Sequence, residues 1–186
     1  TPDPWGNTSG TAPVADLGTG SGALALALAD GLPEAQVWAT DASADALAVA
    51  RANLAAVGEA ATRVRLAQGV WYEALPQRLG GNLHVIVSNP PYVTEAEFAM
   101  LPAEVRDHEP RAALVAGPAG TEALSALIDG APTWLRHPGA LVLECAPHQV
   151  DPMMARARAL GAYAEVTSSL DLTGRPRVLV ARTARP

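Results

Sequence analysis

Apolar and polar positions alternate along this chain with two different periods. Short runs that are continuously apolar or alternate every second residue read as strands: 13–17 (PVADL), 36–40 (QVWAT), 63–68 (RVRLAQ), 84–88 (HVIVS), 140–145 (ALVLEC), 162–169 (AYAEVTSS) and 177–182 (RVLVAR). Between them, helical spacing runs over 21–29, 44–57, 121–135 and 150–160, with Asp41 or Ser43 as the cap of the second helix. Strands spaced by helices of this length predict βαβ units and a parallel sheet. The last two strands are joined only by a loop. Residues 89–117, which hold Pro90, Pro91, Pro102 and Pro110 among mixed charges, follow neither period. Residues 1–13 are rich in Pro, Gly, Ser and Thr and read as a linker or tail, so the domain runs over 14–186.

A chain of 186 residues is about one domain long, and 49% hydrophobic against 17% charged residues gives it enough apolar side chains for a core. The longest apolar run, 22–29, is too short to cross a bilayer, and no basic segment leads into an apolar one, so a soluble, cytoplasmic protein without membrane contact is expected. The single cysteine, Cys145, excludes an internal disulfide and a cysteine-rich zinc site, and no metal is expected. All 13 basic residues are arginine. Without lysine, neither a Schiff base nor a P-loop is possible. The net charge of -6 has the wrong sign for affinity through phosphates, so direct nucleic-acid binding is not expected. The chain begins at Thr1 without a methionine, as a fragment of a longer protein would.

Candidate chemistry begins at DLGTGSG, residues 16–22, placed where the first strand should turn into the first helix. Gly18, Gly20 and Gly22 let the backbone turn tightly and lie against a ligand, while the helix beyond offers free N–H groups. Asp41 ends the second strand, where a carboxylate can accept hydrogen bonds from both ribose hydroxyls of an adenosine. Loop and acid together indicate a nucleoside cofactor. With Ala23 the run also satisfies G-x-G-x-x-A, so a dinucleotide remains open, as does a glycine turn that only packs helix on strand. A Tyr-x-x-x-Lys hydride-transfer pair is impossible, and His84, His108, His137 and His148 stand in settings that suit structural roles.

The second feature is SNPPY, residues 88–92, directly after an apolar strand. Consecutive prolines continue neither sheet nor helix, so the chain leaves the strand rigidly at its carboxyl end, where open α/β sheets place ligands. A planar amino group could lie there with its N–H bonds directed at the Asn89 side-chain oxygen and the Pro90 carbonyl, flat against Tyr92. Two accepted hydrogen bonds pull a delocalised nitrogen toward sp3, and alignment with an electrophilic methyl supplies proximity. The competing reading is a plain turn.

DLGTGSG, Asp41 and NPPY in this order resemble the class I S-adenosylmethionine-dependent methyltransferases that act on planar nitrogens. Residues 107–124 (DHEPRAALVAGPAGTEAL), 137–149 (HPGALVLECAPHQ) and 171–182 (DLTGRPRVLVAR) narrow the resemblance to the release-factor glutamine methyltransferase family of the HemK/PrmC type. It covers about residues 14–182. The resemblance implies a Rossmann-like α/β fold with a mostly parallel seven-stranded sheet, helices on both faces and a C-terminal antiparallel hairpin. It implies methyl transfer from S-adenosylmethionine, leaving S-adenosylhomocysteine, to the side-chain amide nitrogen of the GGQ glutamine of class I peptide-chain release factors, a step in translation termination. Asp16, Gly18, Thr19, Gly20, Ser21 and Gly22 would then wrap the cofactor, Asp41 would hold its ribose, and Trp71 and Asn89 would adjoin it. Asn89, Pro90, Pro91 and Tyr92 would hold the glutamine, with Asn89, Pro90 and Tyr92 at the reaction.

Trp71 reads equally as a core aromatic, and Glu109-Pro110 reads as ordering the loop over the site. The family commonly has an acidic or polar residue before the aromatic, where this chain has Val70. Its N-terminal helical domain has no counterpart here, so residues 1–13 read as the remnant of a missing N-terminal region. Two other functions stay open: methylation of an adenine N6 or another planar nitrogen on nucleic acid or ribosomal protein, and a non-catalytic S-adenosylmethionine-binding module.

Overall fold

The computed structural model describes residues 12–185. Strand β1 (Ala12–Leu17) ends at the glycine run, and helix α1 (Ala23–Gly31) starts beyond it. The alternation continues through β2 (Ala35–Asp41), α2 (Ala44–Ala55), β3 (Val64–Gln68) and β4 (Leu83–Ser88). Three short helices, α3 (Glu95–Met100), α4 (Ala103–Arg106) and α5 (Arg111–Leu114), occupy the proline-rich stretch that has no period. Then come α6 (Glu122–Trp134), β5 (Leu135–Glu144), α7 (Pro147–Ala159), β6 (Glu165–Leu170) and β7 (Pro176–Arg182).

The strands form one sheet in the order β3-β2-β1-β4-β5-β7-β6. Neighbours from β3 to β5 are parallel, and β7 runs antiparallel to both β5 and β6. This is the mostly parallel seven-stranded sheet with an antiparallel C-terminal hairpin expected above. Successive side chains of a strand face opposite sides, and the core divides accordingly. Ala15, Leu17 and Ile86 pack in a cluster with Leu124 and Leu127 of α6 and Met153 of α7. Val14, Val37 and Val85 pack in a second cluster with Ala25 and Ala29 of α1 and Leu54 of α2. Helices therefore cover both faces, and the strand ends remain for loops.

Strand β1 begins at Ala12, so Ala12 and Pro13 belong to the sheet and not to the tail; residues 1–11 of the tail reading lie outside the described residues. Pairing to β4 starts only at Val14, so Pro13 lies where β1 has a ladder partner on the β2 side alone. Ser43 is the cap of α2, accepting from the Ala46 N–H at 3.2 Å. Strand β5 starts at Leu135, five residues before the expected 140. The run HPG reads as a turn, but its irregular backbone is absorbed by a register shift against β4. Thr183 closes that bulge, its Oγ1 accepting from Gly139 N and donating to the Arg136 carbonyl, each at 2.8 Å. Helix α7 starts at Pro147, an N-terminal position where the missing N–H costs nothing.

Candidate active site

The order of strands reverses between β1 and β4, and the carboxyl edge at such a reversal is where open α/β sheets place their ligands. Gly18, Gly20 and Gly22 all have positive φ, at 74°, 56° and 83°. Such angles favour glycine. A Cβ at Gly20 would meet nothing within 4 Å, so this turn of backbone faces open space. The loop is tied down from three sides. Gly18 N and Thr19 N both donate to the Thr40 carbonyl at 2.8 Å, Asn53 Nδ2 of α2 donates to the Ser21 carbonyl at 2.9 Å, and Thr19 Oγ1 donates to Asp16 Oδ2 at 2.6 Å. Asp16 is fully buried. Burial pushes its carboxyl up to about 6, against the opposing pull of the Thr19 hydroxyl.

Asp41, at the end of β2, accepts from Gly20 N at 2.9 Å through Oδ2 and from Ser43 N at 2.8 Å through Oδ1. Each carboxylate oxygen has room for a second donor, so the same acid that shapes the loop can take two hydroxyls. The Asp41 carbonyl in turn accepts from Gly69 N at 3.0 Å, which fixes the bend before Trp71. Trp71 has φ 46°, an unusual angle for a bulky side chain. Its ring is half-buried, packs against the α6/α7 core cluster, and lies 3.1 Å from where a Cβ at Gly18 would stand. The Trp71 ring is thus both a core contact and a wall of the glycine loop. Val70 is 48% exposed beside it.

Ser88, the last residue of β4, donates from Oγ to the Leu17 carbonyl at 2.5 Å. That bond joins the end of β4 to the end of β1, so the 88–92 turn starts directly beside the glycine loop. Asn89 is exposed, Pro90 buried, and Pro91 and Tyr92 half-buried. Residues 89–93 line a cavity of about 100 Å³ with Ala113 and Leu114. Its far wall is α5, held by a bridge between Val93 and Val115 and by the Val93 N–H donating to the Leu114 carbonyl at 2.9 Å. Glu109 and Pro110 lie in the exposed link between α4 and α5, with Pro110 capping α5. A larger hollow of 490 Å³ sits at the amino ends of the strands, lined by Pro13, His84 and Arg136. It is at the opposite edge of the sheet from the glycine loop.

Several groups that build this site carry no signal of their own in the sequence. Gln149, 2% exposed, donates from Nε2 to the carbonyls of Tyr92 and Gly120, both at 2.9 Å, and accepts from Ala146 N at 3.2 Å. Gly120, with φ 72°, permits this approach, because a Cβ there would stand 3.0 Å from the Tyr92 oxygen. Glu144 and Arg177 meet the Tyr92 hydroxyl. Burial, and then the adjacent Glu144, hold that phenol's pKa above its ordinary value. All three residues fall inside the segments that carry the family resemblance; a charged Glu144 closing an apolar strand was the one available sign.

A sheet in this order, with a glycine loop on β1, an acid ending β2 and a proline turn after β4, defines the Rossmann-like fold of class I methyltransferases. The fold of a methyltransferase from Pyrococcus furiosus matches with a TM-score of 0.66 at 19% identity, covering 96% of this chain and 78% of that one. Residues 7–105 match the model of the methyltransferase small domain family, and the chain belongs to that family. Among curated relatives, the release factor glutamine methyltransferase of Synechocystis sp. is 43% identical over 90% of this chain, and that of Moorella thermoacetica 46% identical over 90%. The chain spans 56% and 58% of their lengths. Among the described residues, no helix is long and apolar enough to cross a membrane.

Proposed function

We propose that this chain transfers a methyl group from S-adenosylmethionine to the side-chain amide nitrogen of a glutamine, the GGQ glutamine of a class I peptide-chain release factor, in the cytoplasm. The observation that carries this reading is the small cavity walled by the 89–92 turn and α5, set beside the glycine loop by the bond from Ser88 to Leu17. At about 100 Å³ it is well below the size of ordinary ligand pockets. It suits the end of a side chain better than a whole nucleobase. The names of the curated relatives favour the same substrate.

The left-handed glycines, open at Gly20, and the spare acceptor capacity of Asp41 fit an adenosine-bearing cofactor. Asp16, Gly18, Thr19, Gly20, Ser21 and Gly22 would hold its amino-acid part, Asp41 its ribose, and Trp71 and Asn89 would border it. S-adenosylmethionine, when bound, supplies an electrophilic methyl on a sulfonium. Asn89 Oδ1 and the Pro90 carbonyl accept the two amide N–H bonds, while Pro91 keeps the turn rigid and Tyr92 walls the acceptor. Hydrogen bonds to both N–H groups release the nitrogen lone pair from conjugation. The proton becomes acidic only as the nitrogen acquires positive charge, so no strong base is needed beforehand.

Mass spectrometry of a purified class I release factor after incubation with this chain and S-adenosylmethionine tests the reading. The expected result is a gain of one methyl on the GGQ glutamine. An unmodified release factor, with cofactor binding verified, would overturn the substrate assignment, and methylated adenine in a nucleic-acid substrate would replace it.

A further inference from the structure

The 89–92 turn has a polar assembly behind it that the methyl-transfer reading leaves without a task. Glu144 at the end of β5 and Arg177 on β7 converge on the Tyr92 phenol. Arg177 Nη2 donates to Tyr92 Oη at 3.2 Å and to Glu144 Oε1 at 3.0 Å, and Tyr92 Oη donates to the same Oε1 at 3.2 Å. The Arg177 guanidinium carbon also lies 5.4 Å from the centroid of the Tyr92 ring, within cation–π range. Its Nη1 donates to the Cys145 carbonyl at 3.3 Å. The two charged side chains are only 26% and 35% exposed.

A pair of this kind between adjacent strands would ordinarily be read as support for the sheet. β5 and β7 do not need it, since they are already paired from Ala140 to Glu144 and extended by Cys145 N donating to the Arg177 carbonyl. Tyr92 lies outside the sheet, and its main chain is fixed by Gln149 and by the Val93 bridge. Those bonds leave the rotation of its ring open. Contacts at both the hydroxyl and the ring remove that freedom.

We propose that Glu144 and Arg177 are positioning residues, which act through Tyr92 to hold its ring as a fixed wall of the acceptor cavity and so align the planar carboxamide. The proposal rests on the glutamine reading above. It makes substrate alignment depend on the C-terminal hairpin, an element with no place in the cofactor loop.

The test compares Arg177→Met, Arg177→Lys and Tyr92→Phe, with Arg182→Met on the same strand as a control for general damage to β7. For Arg177→Met, kcat/KM for the release factor should fall about ten-fold while S-adenosylhomocysteine affinity stays unchanged. In a Tyr92→Phe background the same substitution should cost much less, because the two residues act as one unit. Arg177→Lys should recover part of the loss. An equal loss in both backgrounds, or lowered thermal stability with unchanged kcat/KM, would overturn the proposal. If the wild-type chain leaves the release factor unmodified, the glutamine reading fails by itself. The positioning role is then decided by NMR of the three tyrosines labelled with carbon-13. Tyr92 ring signals that shift in Arg177→Met but not in Arg182→Met uphold it, and unchanged signals overturn it.

Discussion

Asp16 is a carboxylate whose ionisation works against the fold. It is fully buried, and burial raises it from 3.8 to about 6. Between these values the native state binds more protons than the unfolded chain, so stability falls as pH rises through the window and is level above it. A shift of that size corresponds to about 2 kcal/mol lost on going from pH 4 to pH 7. Asp16→Asn keeps an oxygen for the Thr19 hydroxyl and removes the charge. Urea unfolding at the two pH values should therefore show this variant gaining about 2 kcal/mol on the wild type at the higher pH. Parallel profiles would mean that Asp16 is already paired in solution. The charge has a use consistent with its cost, since the cofactor proposed for this loop is a cation. The same variant should bind S-adenosylmethionine more weakly, which calorimetry measures directly. Asn89 gives the complementary case. It is exposed at the rim of the cavity proposed for the acceptor, so Asn89→Ala should abolish turnover with little change in melting temperature or cofactor affinity. Undiminished turnover would remove Asn89 from the reaction.

At the scale of elements, the site is assembled by groups that join one loop to another. Gln149 belongs to α7, yet its amide satisfies carbonyls in the 89–92 turn and in the link before α6. Replacing it with leucine leaves those two carbonyls and Ala146 N without their partner, a cost of about 3 kcal/mol in chemical denaturation. The turn should loosen with it, and methyl transfer should fall more steeply than cofactor binding. This is also where legibility in the sequence ended. Strands and long helices were readable because each buries a face and the burial imprints a period on the chain. DLGTGSG and NPPY were readable because glycine and proline set their backbone locally, and Asp41 because it closes a strand. Helices α3 to α5 were not, being four to six residues long with no buried residue on any of them. Strand β5 was read short because HPG imitates a turn, and only Thr183, far along the chain, mends the ladder around it. Ser88, Gln149, Glu144 and Arg177 act across the fold, so no local pattern announces what they touch.

At the scale of the molecule, the strand order divides the work. β1 and β2, on one side of the reversal, end in the glycine loop and Asp41. On the other side β4, β5 and β7 contribute the proline turn, Glu144 and Arg177. The halves proposed for cofactor and acceptor thus depend on different strands and are joined where Ser88 meets Leu17. A ligand held by the first half should stabilise the whole chain by mass action, because the sheet through its centre makes folding a single event. At a hundred times its dissociation constant, S-adenosylhomocysteine should raise the melting temperature by about 8 °C. Asn89→Ala, which meets the proposed cofactor only at its border, should keep nearly all of that shift. Asp41→Ala should lose most of it, since the substitution removes the proposed ribose acceptor and frees the N–H groups of Gly20 and Ser43 together. A shift that vanished in the Asn89 variant as well would mean that the two halves bind as one site, and that the division at the strand reversal does not govern how this protein takes up its ligands.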